Sequence, residues 1–182
     1  MNDKPRIYMD ACCFIDMAKQ AARILPSGRG NEVWFLRNLL EAAKDKEIQV
    51  YTSVLSVVEC THADGNVNAG VRDTFTRLLM SGQYVTLVQP TPFVAADGRD
   101  LRWKHGIMLH GADYLHVASA ISVQCAEFLT TDGRITKNAG KIKMLGLQVL
   151  PAEQTACLPD KYKQGRLDEN ITVLKPAQGR GH

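Results

Sequence analysis

The 182-residue sequence predicts an α/β fold, a three-layer α/β/α sandwich around a mostly parallel sheet. Three observations lead there. Short apolar runs alternate with longer segments in which apolar residues recur at helical spacing. Clusters such as Pro26-Ser27-Gly28-Arg29-Gly30 separate the two kinds of segment. Acidic residues end or follow apolar runs, as expected where parallel strands deliver side chains to one edge of a sheet.

Arg6 to Met9 reads as a buried strand, and Cys13 to Ile24 as a helix with Phe14, Met17, Ala18, Ala21 and Ala22 on its apolar side. After the Pro26–Gly30 loop, Asn31 is placed to cap a helix whose stripe is Trp34, Phe35, Leu39, Leu40 and Ala43. Ile48 to Tyr51 is a second strand, and Ser53 is placed to cap the helix carrying Val54, Leu55, Val57 and Val58. A helix over Val67 to Leu79 ends near Gly82. Tyr84 to Val88 reads as a strand stopped by Gln89-Pro90, and a helix from Thr91 or Pro92 is expected to break near Asp97-Gly98. Asp113 to Val123 is a helix, Ala126 to Thr130 a strand, and Leu147 to Leu150 the last core strand. Residues 1–150 thus form one domain. Residues 151–182 form a partly mobile extension, with a strand-like patch at Ile171–Leu174 and a mobile end at Pro176–His182.

Composition narrows the function. The chain is 45% hydrophobic and 23% charged, ordinary globular content. No apolar run approaches the roughly 18 residues of a membrane span, so no membrane partner is expected. Met1-Asn2-Asp3-Lys4-Pro5-Arg6 lacks the order of a signal peptide. Five cysteines, an odd number with no C-x-x-C pair, point to free thiols in a reducing cytoplasm. Cys12, Cys13, Cys60 and His62 fit no common zinc spacing. The net charge of +3 is too small by itself to require a nucleic-acid partner. A P-loop, a G-x-S-x-G elbow and a dinucleotide fingerprint are all lacking.

What remains are four acids. Asp10 closes Ile7-Tyr8-Met9, Glu59 follows Val57-Val58, Asp113 opens a helix, and Asp132 ends Phe128-Leu129-Thr130-Thr131. A carboxylate beside buried sequence is costly to desolvate unless its charge is compensated. Each has a simpler reading: Asp10 as a cap, Glu59 as a lysine partner, Asp113 as a first-turn acid, Asp132-Gly133 as a turn. Together they suggest one acidic pocket for a hard dication, Mg²⁺ or Mn²⁺, and the phosphodiester chemistry such ions support. His116, one turn beyond Asp113, reads as a packed or surface histidine rather than a catalytic one.

Four segments carry a family resemblance. They are Tyr8-Met9-Asp10-Ala11-Cys12-Cys13-Phe14-Ile15-Asp16, Tyr51-Thr52-Ser53-Val54-Leu55-Ser56-Val57-Val58-Glu59, Gly111-Ala112-Asp113-Tyr114-Leu115-His116-Val117-Ala118-Ser119-Ala120 and Phe128-Leu129-Thr130-Thr131-Asp132-Gly133-Arg134. In order and coverage the chain resembles the PIN-domain ribonucleases, most closely their VapC-like toxin branch. The resemblance implies a metal-dependent endoribonuclease in which Asp10, Glu59, Asp113 and Asp132 are catalytic and gather around Mg²⁺ or Mn²⁺. Thr130 would orient a carboxylate or a water. RNA would be hydrolysed in line, without a covalent protein intermediate. It further implies the toxin role of a type II toxin–antitoxin system, with a cognate antitoxin covering the pocket, and a homodimer.

The family usually has Ser or Thr where this chain has Cys12, and a thiol is a poor substitute for a hydroxyl donor. That keeps open a catalytically weak or inactive PIN-like module binding RNA or protein. A phosphoryl-receiver domain also clusters acids at strand ends, but gives Glu59 and Asp113 no role. Asp16 reads as a helix-surface or supporting residue. Arg134, Lys137, Lys141 and Lys143, with no acid between them, are candidate RNA-binding residues or else a solvated helix face. Arg99, Arg102 and Lys104 offer a second approach surface.

Overall fold

The structure is a computed structural model that describes residues 4–164. Its centre is a five-stranded, all-parallel sheet. The strands are β1 (Arg6–Met9), β2 (Gln49–Ser53), β3 (Thr86–Val88), β4 (Glu127–Leu129) and β5 (Gln148–Leu150), in the order β3-β2-β1-β4-β5. The helices are α1 (Ala11–Ala21), α2 (Gly30–Lys44), α3 (Leu55–Glu59), α4 (Ala69–Phe75), α5 (Pro92–Trp103), α6 (Gly111–Ser122), α7 (Gly133–Thr136) and α8 (Ala139–Lys143).

Alternation along the strands builds two cores. Ile7, Met9, Val50, Leu129 and Leu150 point to one face and pack with Phe14, Met17, Leu36, Leu39 and Val71. Tyr8 and Phe128 point to the other and pack with Leu101, Val117, Ile135 and Ile142. The Tyr8 and Phe128 rings stack with centroids 5.0 Å apart. This is the three-layer α/β/α sandwich the sequence predicts. Among the described residues no helix is long and apolar enough to cross a membrane.

Several local expectations are corrected. Asn31 does not cap α2; the helix begins one residue earlier without a side-chain cap, and the Asn31 amide instead donates to Glu153 at 2.8 Å. Helix α5 runs unbroken through Asp97-Gly98. Gly98 is there because α6 lies close: a Cβ on it would stand 3.3 Å from the Tyr114 carbonyl oxygen. The helix expected from Val67 starts at Ala69, where the Asn68 side chain accepts from the Val71 amide, and it widens into a π turn over Thr76–Met80. The basic stretch Arg134–Lys143 forms two short helices, α7 and α8, rather than one.

The boundary at residue 150 does not end the packed unit. Ala152 and Leu158 are buried in the first core. Two buried carboxylates hold this segment: Glu32 accepts from the Ala152 amide at 2.6 Å, and Glu127 accepts from the Ala156 amide at 2.9 Å and from the Thr155 hydroxyl. The expectations for Ile171–Leu174 and Pro176–His182 lie outside the described residues.

Candidate active site

In the order β3-β2-β1-β4-β5, the chain leaves β1 toward one side of the sheet and reaches β4 on the other. The carboxyl ends of β1 and β4 therefore form the crevice where open α/β sheets bind ligands. Asp10 and Thr130 are the residues just past those two ends.

Asp10 is almost fully buried and caps α1, taking the Ala11 amide on Oδ1 at 2.8 Å. Its Oδ2 accepts from the Thr130 hydroxyl at 2.7 Å and, weakly, from the Cys12 thiol at 3.5 Å. Capping and site membership are thus one role. Thr130, fully buried, also accepts from the Asp132 amide at 3.0 Å, so a single hydroxyl joins two of the acids. Cys12 Sγ lies 3.4 Å from the same hydroxyl, at the position expected to carry a hydroxyl of its own.

Asp113 sits in the first turn of α6. Its Oδ2 is buried and accepts no hydrogen bond; the Arg134 Nε is the nearest cation, at 3.7 Å. Burial raises its pKa, and the charges of Asp132 and Asp10 add to the rise, against the opposing pull of Arg134 and of the backbone bond at His110. The three aspartates therefore share one electrostatic neighbourhood. Asp132 caps α7 and is gripped by Arg134, whose Nη2 donates to Oδ2 at 2.9 Å and whose backbone amide donates to Oδ1 at 2.6 Å. This hydrogen bonding holds the Asp132 carboxyl below its ordinary range, burial opposing.

Glu59 is the last residue of α3, and its Oε2 meets His116 Nε2 at 2.8 Å. His116 is buried, and its Nδ1 lies 2.8 Å from the Tyr8 hydroxyl. Burial alone would lower the imidazole pKa, but the bond to Glu59 and the charges of Asp10, Glu59 and Asp113 together raise it. All four expected acids thus face one region at the carboxyl edge of the sheet. Among the described residues, however, no three His, Cys, Asp or Glu side chains converge as a ready-made metal cage. Asp10 is held by Thr130, Glu59 by His116 and Asp132 by Arg134. The donors are hard oxygens, the ligand type Mg²⁺ and Mn²⁺ take, and Asp113 Oδ2 accepts no hydrogen bond.

Arg134 is solvent-exposed, and its guanidinium is paired with Asp132 and lies near Asp113. Lys141 donates to the Gly106 carbonyl at 2.6 Å, while Lys137 and Lys143 are exposed. Asp16 is not a helix-surface acid. It is buried and paired with Arg29, whose Nη2 also reaches the Thr131 hydroxyl at 3.1 Å, so the Pro26–Gly30 loop is pinned beside the site. The cysteines are free. Burial pushes the Cys60 thiol well up and those of Cys125 and Cys157 up to about 12, which keeps them protonated.

Sequence reasoning missed the linking role of His116. Its signal was the spacing from Asp113, one helical turn, which puts both on neighbouring parts of one face. A cavity of about 580 Å³ lies at the other end of the sheet, lined by Lys4, Lys44, Lys46 and Tyr84 among others, and none of the four acids lines it. No family model matches this chain, and no curated protein matches it.

Proposed function

We propose that the protein is a metal-dependent endoribonuclease that hydrolyses RNA phosphodiester bonds, acting as the toxin of a type II toxin–antitoxin pair. The observation that carries the nuclease reading is the buried Asp113 oxygen that accepts no hydrogen bond, on a carboxyl whose ionisation burial and the charges of Asp132 and Asp10 all disfavour. Carboxylates in that relation call for a cation. Asp10, Asp113 and Glu59 would hold Mg²⁺ or Mn²⁺, with Asp132 completing the acidic ring. When bound, such an ion polarises a phosphodiester and stabilises the leaving alkoxide.

The chain's own groups supply the rest. Thr130 fixes Asp10 and Asp132 relative to each other. Arg134, gripping Asp132 and exposed to solvent, would offer its remaining N–H donors to a phosphate oxygen of RNA. Exposed Lys137 and Lys143 extend the cationic approach along α7 and α8. The acids lie at a strand-end crevice, the place where open α/β sheets bind ligands. An antitoxin covering this face and a homodimer follow from the family resemblance.

The test is cleavage of structured and single-stranded RNA with Mg²⁺, Mn²⁺ or EDTA. Cleavage is expected only with the metals, and Asp10→Asn and Asp113→Asn should each abolish it while remaining folded. Equal activity in EDTA, or in both folded variants, would reject the mechanism. Cys12 in place of a hydroxyl and Arg134 already on Asp132 favour a second reading, a non-enzymatic RNA-binding module. Tight RNA binding without cleavage would select it.

A further inference from the structure

We propose that His116 is a positioning residue, held by Tyr8, that fixes the Glu59 carboxylate at the acidic face. This deepens the metal-dependent reading and rests on it for the part that Glu59 plays as a ligand. Glu59 needs such help. It ends a helix of only five residues, and its side chain is 36% exposed. Among the described residues His116 is the one hydrogen-bond partner of that side chain. A glutamate so placed has rotamer freedom to swing into solvent unless something holds it.

His116 is built to hold it. The ring is 1% exposed, on a helix whose next four residues are also buried. Its far nitrogen, Nδ1, faces the hydroxyl of Tyr8, a fully buried residue on the central strand. The Tyr8 ring is clamped by stacking on Phe128. A carboxylate has only acceptors, so Nε2 must carry the hydrogen that Glu59 takes. Nδ1 of the neutral ring is then bare and accepts from the Tyr8 hydroxyl. If the ring is doubly protonated, Nε2–H still points to Glu59. The donation is therefore the same in both charge states. The result is a chain from the sheet core to a site carboxylate, Tyr8–His116–Glu59, on the helix that also carries Asp113. Outer partners of this kind set the orientation of metal-ligating groups, and losing them typically costs about 10–100-fold in metal affinity.

Two measurements test this. The first uses the metal-free protein, labelled with ¹⁵N. Long-range proton–nitrogen spectra of His116 should show Nε2 protonated throughout roughly pH 6–9. A neutral ring with the proton on Nδ1 instead would overturn the proposal, whatever the metal does. The second compares two variants of similar size by Mn²⁺ titration followed by electron paramagnetic resonance. His116→Asn keeps an amide near the Nδ1 position, within reach of Tyr8 and short of Glu59. His116→Gln carries its amide out to the Nε2 position. We expect His116→Asn to weaken Mn²⁺ binding about 10-fold and His116→Gln to restore most of it. Equal affinities in the two folded variants would mean that His116 only fills space, and would overturn the proposal. Wild-type protein that binds no Mn²⁺ but shows the stated proton on Nε2 would remove the ligand role of Glu59, and the metal reading with it, leaving the Tyr8–His116–Glu59 chain as a structural device.

Discussion

Replacing Thr130 by valine tests how the site is assembled. The substitution keeps the shape and removes one hydroxyl. That hydroxyl donates to Asp10 Oδ2 at 2.7 Å and accepts from the Asp132 amide at 3.0 Å. A hydrogen bond to a charged group contributes about 1.5–3 kcal/mol, and a donor left without its acceptor costs about 1–3 kcal/mol where it is buried. The Asp132 amide is only partly buried, so the lower end applies there. The sum is about 3 kcal/mol. For a domain of this size that lowers the melting temperature by roughly 6–12 °C. Thermal and urea unfolding at neutral pH in EDTA, followed by far-UV circular dichroism, would measure it. Thr130→Ser keeps the hydroxyl and loses a buried methyl, so it should cost only about 1 kcal/mol. A Thr130→Val protein within about 0.5 kcal/mol of wild type, or a serine variant as damaged as the valine one, would refute the assignment of that hydroxyl as the link between Asp10 and Asp132.

Two further outcomes are expected. Glu32→Ala removes the acceptor of the buried Ala152 amide and should destabilise the fold by about 2–4 kcal/mol; hydrogen exchange should show the Ala152 amide losing protection, and unchanged protection would exclude the carboxylate as its anchor. Acid stability should depend on Arg134. The Asp132 carboxyl is depressed by its bond to Arg134, so its contribution is present above the ordinary aspartate pKa of about 3.9 and is lost as pH falls through the lower folded value. In metal-free protein the stability gap between wild type and Arg134→Gln, read from urea midpoints, should therefore narrow as pH falls from about 5 to about 2; a gap constant with pH would argue against the pairing.

The layer architecture was legible in the sequence because strand and helix periods differ and the chain alternates them cleanly. The placement of Asp10, Glu59, Asp113 and Asp132 at one edge was legible for the same reason: each stands where an apolar run ends or a helix begins. Strand order was not, since nothing in a run such as Gln49–Ser53 says which neighbour it takes. Local sequence shows Arg134 as a cation in a basic stretch; it does not show that Asp132, two residues earlier, caps a helix and turns its carboxylate toward the guanidinium. Gly98 looked like a break because glycine weakens helices, whereas its use here is set by Tyr114 on another helix. Glu32 and Glu127 were passed over among apolar neighbours, although a carboxylate inside Ala126–Thr130 was itself a sign of a buried acceptor.

The central position of β1 has a cost during synthesis. Its residues Ile7, Tyr8 and Met9 are fully enclosed in the finished fold, yet one flanking strand, β4, lies about 120 residues further along the chain. At ribosomal rates of about 5–20 residues per second, that partner follows roughly 6–24 seconds later. For that interval one edge of β1 lacks its partner, and β1–β4 pairing must wait for a distant closure, which slows folding. Until Leu129 has joined Met9, Asp10 and Thr130 are not neighbours either, so the acidic crevice cannot exist before most of the polypeptide has been made.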